Sequence, residues 1–151
     1  MSIETILQLL NQYKLIVGIL VVFTIFSFIV SGMQRRKMKS DSNNFLKNHP
    51  DAAKIYMYSR AGITNEEMQI LTVDDENPNK FYDGGKWGIY VVPGLSELQV
   101  NYSYQRPGVM HKTVTTSTGV VKKAVETEPN KSYMLSFDRK AEQFVFEEYS
   151  K

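Results

Sequence analysis

The chain has no cysteine in its 151 residues. That one absence excludes a disulfide scaffold, a lipidated cysteine anchor, a cysteine nucleophile and a thiolate zinc site together. Histidine is almost as scarce. His49 and His111 are the only two, and a metal site built on such a distant pair would need carboxylates from elsewhere. With 42% hydrophobic and 23% charged residues, wholesale disorder is excluded as well. The length allows one small domain and an accessory segment.

Charge is missing altogether from Leu15 to Met33. These 19 residues carry no ionisable side chain, and thirteen of them are Leu, Ile, Val or Phe. As a helix they span about 28 Å, close to one hydrocarbon core. Each large apolar residue contributes roughly −0.3 to −0.6 kcal/mol to insertion, so the thirteen sum to at most about −4 to −8 kcal/mol. The spacing predicts a single transmembrane helix over 15–33. Before it, residues 1–14 form a short amphipathic segment in which Ile3, Ile6, Leu7 and Leu10 share a face. A cleaved signal peptide is the competing reading, with small residues at Ser31 and Gly32. The apolar run exceeds the usual ~7–15-residue core of such peptides, and the basic cluster lies on the wrong side of it. Within the span Thr24, Ser27 and Ser31 lie along one stripe. They are either a helix–helix contact or hydroxyls bonded to their own preceding turn.

The basic cluster is Arg35, Arg36, Lys37 and Lys39, directly after the span. The positive-inside rule then puts the C-terminal part in the cytoplasm, with anionic lipid headgroups as partners of the four cations. An extracytoplasmic domain is the alternative. The chain holds 18 basic and 16 acidic side chains. Five basic residues and one acidic residue fall in 1–39, leaving thirteen and fifteen beyond. The basic balance therefore belongs to the membrane flank, and nothing marks the rest as a nucleic-acid binder.

Residues 34–52 are polar, contain Pro50, and read as a basic flank and linker, with room for one helical turn around Asn44–Lys47. Over 53–149 the hydrophobic period changes from 3.6 to 2. Strands are predicted at Lys54–Tyr58, Met68–Val73, Trp87–Val92, Glu97–Tyr104, Val109–Thr116, Val120–Thr127, Lys131–Phe137 and Gln143–Glu148, with turns at Pro93-Gly94, Pro107-Gly108 and Thr118-Gly119. The fold class is mainly β, an antiparallel β-sandwich of about seven to eight strands following one transmembrane helix. The expected core is Ile55, Met57, Ile70, Ile89, Val91, Leu98, Val100, Tyr102, Val114, Val125, Tyr133, Leu135, Phe137, Phe144 and Phe146.

The segment Trp87-Gly88-Ile89-Tyr90-Val91-Val92-Pro93-Gly94, followed by Leu98-Gln99-Val100-Asn101-Tyr102, resembles the Tyr-x-x-x-Pro-Gly and alternating-strand signature of small bacterial envelope sandwich domains, the PEGA-like and transthyretin-like modules, with one residue fewer between Tyr90 and Pro93. Pro129–Leu135 resembles their second repeating element. The resemblance implies a sandwich fold and a non-enzymatic role, usually outside the cytoplasm. The chain departs from the lipoprotein members in lacking their anchoring cysteine.

Chemistry-bearing patterns are few. Asp74-Asp75-Glu76-Asn77 lacks the spaced register of a calcium loop. Gly84-Gly85-Lys86 lacks the spacing and the following helix of a phosphate loop. The hydroxyl-rich Thr113–Thr118 has no base beside it. No catalytic, metal or cofactor-binding residue is assigned, and a non-enzyme is expected. Tyr56 and Tyr58, alternating against Ile55 and Met57, are the expected interaction surface, facing either a partner or a second covering layer. The function that follows is a single-pass, membrane-anchored interaction module with a protein partner, an accessory subunit or scaffold. The alternative is an envelope-facing domain that binds or hydrolyses glycan.

Overall fold

Helix α1 begins at Ile3 and continues to Asn48, 46 residues, well past the end of the apolar run. The computed structural model describes residues 3–60, 65–108 and 113–150. The helical course of 34–48 corrects the expectation of a linker there. The physical reason lies in what that stretch lacks: no glycine or proline occurs between Gly32 and Pro50, and Gln34–Lys39 is made of straight-chain residues that lose little rotamer freedom in a helix. Pro50 is the stop, because it drives the residue before it out of the helical region. His49 N–H still donates to Phe45 O at 2.8 Å, and Ala52 N–H donates to His49 O at 3.2 Å.

The chain divides into two compact units, Met1–Lys37 and Met38–Lys151. The first is helical. Its stretch from Gly18 onward is long and apolar enough to cross a membrane, with a mean hydropathy of 1.6 in its most apolar window. The second unit contains the last turns of α1 and the strands. There Ser42 is buried, and its hydroxyl donates to Lys80 O at 2.7 Å.

The strands of the second unit are β1 (Ala53–Met57), β2 (Ser59–Arg60), β3 (Asn65–Val73), β4 (Asn79–Asp83), β5 (Lys86–Val91), β6 (Gly94–Pro107), β7 (Thr113–Thr127), β8 (Ser132–Asp138) and β9 (Gln143–Glu148). They form two sheets, ordered β4-β5-β1-β8-β9 and β2-β3-β6-β7. The chain is thus mainly β with one N-terminal apolar helix. Not every pairing is antiparallel, as had been expected: β1 runs parallel to β8. Parallel neighbours need a long crossover rather than a hairpin, and here the crossover contains the whole second sheet.

Turn chemistry accounts for the tight corners. Gly84 and Gly85 join β4 to β5 with φ of 57° and 81°, and Asp74 and Asp75 follow β3 with φ of 51° and 63°. Two successive positive φ values give the turn whose twist matches paired strands. Asp74 is held further by β6, its N–H donating to Glu97 O at 2.9 Å and its Oδ1 accepting from Glu97 N–H at 2.8 Å. Strand β4 was not anticipated from the sequence.

Thr118-Gly119 is not a hairpin turn. Strand β7 passes through it unbroken, and the pairing steps from Asn101↔Val120 to Ser103↔Ser117, so two residues of β7 oppose Tyr102 alone. This is a β-bulge, with Gly119 at φ 69° supplying the left-handed residue. Thr118 Oγ1 accepts the Tyr102 N–H at 3.1 Å and occupies the gap in the ladder. Pro107 closes β6, while the expected strand start at Val109 and His111 lie outside the described residues.

One buried cluster draws on both sheets: Ala53, Ile55 and Met57 from β1, Met68 and Ile70 from β3, Ile89 and Val91 from β5, Leu98, Val100 and Tyr102 from β6, Val125 from β7, and Tyr133 and Leu135 from β8. Phe137, Phe144 and Phe146 pack against it. Val114, expected in the core, is 38% exposed. It lies on the part of β7 beyond the bulge, where every residue from Thr113 to Ser117 is exposed.

Candidate interaction site

In the helical unit every large apolar side chain described from Ile16 to Val30 is between 37% and 76% exposed. Among the described residues no part of the helical unit covers this stripe. The hydroxyls among them are accounted for locally: Thr24 Oγ1 donates to Leu20 O at 2.7 Å and Ser27 Oγ to Phe23 O at 2.8 Å. This favours the back-bonded reading of those two over a helix contact. Ser31 is exposed, as are Arg36, Lys37 and Lys39; the Arg35 side chain lies outside the described residues.

Tyr56 is not a surface residue. It is 4% exposed and forms a second cluster with Phe81 and Met134, flanked by Tyr90 and Tyr149. This cluster lies on the opposite face of β1 from Ile55. The Tyr56 ring meets Phe81 edge-on at 5.3 Å, and its hydroxyl donates to Asp83 Oδ2 at 3.0 Å. Burial, and then the Asp83 carboxylate, push its pKa up to about 12. Lys86 Nζ donates to the Tyr149 hydroxyl at 2.8 Å and lies 4.4 Å from that ring's centre. The expectation of an exposed Tyr56 fails because Phe81, Met134, Tyr90 and Tyr149 pack over this face of β1. Tyr58 is 41% exposed. It marks the corner where the chain leaves one sheet for the other, its N–H still donating to Leu135 O at 2.9 Å before β2 joins β3.

That corner opens a groove. Because β2 is only two residues long, it covers β3 at Glu66 and Glu67 alone. From Met68 to Thr72 no described strand pairs with this edge of β3. Beside it lies a groove of about 760 Å³. Buried Met57, Met68 and Ile70 form its floor, and Leu71 and Trp87, 38% and 45% exposed, add apolar surface. Arg60, Glu67, Gln69, Lys80, Ser103 and Gln105 supply polar groups. Trp87 packs on Tyr82 with ring centres 5.1 Å apart. None of this was anticipated from the sequence, since the groove is made by a strand that is too short.

At one end of the groove, Glu66 is 9% exposed and pairs with Arg139 across 3.5 Å, linking β3 to the turn between β8 and β9. Arg139 lies 4.5 Å from the centre of the Tyr104 ring. The Tyr102 hydroxyl is buried next to this pair. Burial, and then the charge of Glu66, push its pKa up to about 12.

The remaining sequence candidates are placed as follows. His49 is at the end of α1 with its ring 4.8 Å from that of Phe45. The carboxylates of the acidic turn are used within the fold, Asp74 on Glu97 N–H and Asp75 on Gln99 Nε2 at 2.9 Å. Gly84-Gly85-Lys86 is the β4–β5 turn. Among the described residues no group of three or more His, Asp or Glu is placed to hold a metal ion. Neither a family model, a curated protein nor a solved structure matches the chain.

Proposed function

We propose that this is a single-span membrane protein whose β unit is an interaction module, serving as an accessory subunit or scaffold. The observation that carries the reading is the uncovered apolar stripe from Ile16 to Val30, whose burial in hydrocarbon is favourable and whose exposure to water is not. Arg35, Arg36, Lys37 and Lys39 then stay on the cytoplasmic leaflet beside anionic lipid, and the β unit is cytoplasmic. Under this reading the two sheets pack as a sandwich, as in PEGA-like or transthyretin-like modules, a reading supported by the one buried cluster that draws on both.

The test is fractionation. The intact protein stays in the membrane pellet through alkaline extraction, whereas a Phe23→Arg/Phe26→Arg variant is released or fails to insert, since each central arginine costs about 2.5–3.5 kcal/mol. Release of the unaltered protein by alkaline extraction contradicts the reading. In the same membranes, short-range cross-linking from Tyr58 captures a partner chain; consistent recovery of an uncross-linked monomer counts against the scaffold role.

A further inference from the structure

We propose that the groove beside β3 receives an extended, acidic segment of a partner protein, which adds to β3 as a new strand. The inference rests on the reading of the β unit as an interaction module and names the chemistry of what it binds.

Three observations converge on this occupant. The first is the free edge: Met68–Thr72, interrupted by a bulge at Leu71, presents backbone donors and acceptors that β2 has just left, and an extended peptide satisfies such groups as no compact ligand can. The second is the shape. About 760 Å³ next to a five-residue edge suits a strand of about five residues, with Met57, Met68, Ile70 and Trp87 offering apolar contact to alternate side chains. The third is charge. Of the two carboxylates lining the groove, Glu66 is paired with Arg139, while Glu67, which accepts from the neutral Gln69 amide at 2.7 Å, keeps its charge. Arg60 and Lys80 also line it, and among the described residues neither has an ion-pair partner. With Glu66 paired to Arg139, Arg60 and Lys80 stand against Glu67, a local balance of one positive charge, although residues 40–151 carry two more acidic than basic side chains. A local excess of cations against an acidic background selects an acidic partner.

The chain carries its own reporter. Trp87 is its only tryptophan and lines the groove. The full-length protein in detergent is titrated with three synthetic peptides of about seven residues: alternating Val and Glu, alternating Val and Lys, and the Val/Glu peptide with alternate backbone nitrogens methylated. The Val/Glu peptide gives a saturable change in Trp87 emission, weakened by added salt. The Val/Lys peptide binds at least severalfold more weakly, and methylation abolishes binding because the edge donors and acceptors lose their partners. An Arg60→Ala/Lys80→Ala variant binds the Val/Glu peptide roughly 2- to 30-fold more weakly, while Arg60→Lys retains the affinity and checks that the fold is intact. Equal binding of the acidic and basic peptides, undiminished binding of the methylated one, or no response to any of them overturns the proposal. Failure here leaves membrane retention and cross-linking from Tyr58 untouched, so it is distinguishable from failure of the broader reading.

Discussion

Gly88 lies on β5 opposite Phe81 of β4, and the Phe81 ring covers the place where a side chain would project. A Cβ added at Gly88 would sit 2.5 Å from Phe81 Cζ, 2.9 Å from Phe81 Cε1 and 2.8 Å from Ile55 O. One obstacle is the backbone of the central strand β1. The other is a ring hemmed in by Tyr56 at 5.3 Å and Tyr90 at 4.5 Å. Overpacking of this kind costs about 1–3 kcal/mol, and the backbone entropy that alanine removes from the unfolded chain returns about 0.4–1 kcal/mol. With both obstacles met at once the cost lies towards the upper part of the net range of about 0–2.6 kcal/mol, so Gly88→Ala is expected to destabilise the β unit by about 1–2.6 kcal/mol, a fall of roughly 4–20 °C in its melting point. Thermal melting of the full-length protein, followed through Trp87 next door, reads this directly. Phe81→Leu in the Gly88→Ala background recovers part of the loss by removing the ring atoms while leaving the contact with Ile55 O. A Gly88→Ala protein that melts at or above the wild type would refute the claim that the ring lies over this position.

Two further perturbations bear on the buried polar groups. Tyr56 and Tyr102 titrate at about 12 in the fold against an ordinary 10; their stabilisation is full below pH 10 and is lost as pH rises through 12, at about 1.4 kcal/mol per pH unit for each. The urea midpoint should thus fall across that window in the wild type and fall less in a Tyr56→Phe/Tyr102→Phe variant; identical slopes would show that the two hydroxyls are not the cause. Arg139→Ala leaves the Glu66 carboxylate buried without its cation and should lower the melting point of the β unit. In a double-mutant cycle with Glu66→Gln most of that cost should disappear, and strict additivity would deny the link.

Much of the β unit is legible from alternation alone. Leu98, Val100 and Tyr102 recur every second residue and are all buried, and Tyr133 and Leu135 behave in the same way. The alternation misleads at β1 because period 2 assigns one face to the core and the other to water, whereas here both faces are covered. The signal was present: Ile55-Tyr56-Met57 is an unbroken apolar run, as strands buried on both sides tend to be. Thr118-Gly119 carries the residue type that turns and bulges share, and only the matching lengths of β6 and β7 separate the two. The polar stretch 34–48 has the composition of a linker but no helix breaker, and propensity decided its state. The groove could not be read at all. Its floor comes from β1 and β3, and it exists because a two-residue β2 leaves the rest of one edge of β3 open, a fact about register rather than about any local motif.

The central claim, that 15–33 crosses a bilayer and leaves the β unit in the cytoplasm, is tested most directly by cysteine accessibility, since no native thiol competes. Single cysteines at Ser2 and at Lys140, the latter exposed in the turn between β8 and β9, are reacted with a membrane-impermeant reagent before and after lysis. The account predicts labelling of Ser2→Cys in intact cells and of Lys140→Cys only once the cells are opened. Labelling of Lys140→Cys in intact cells would contradict the orientation, and the same accessibility at both positions would contradict the span itself.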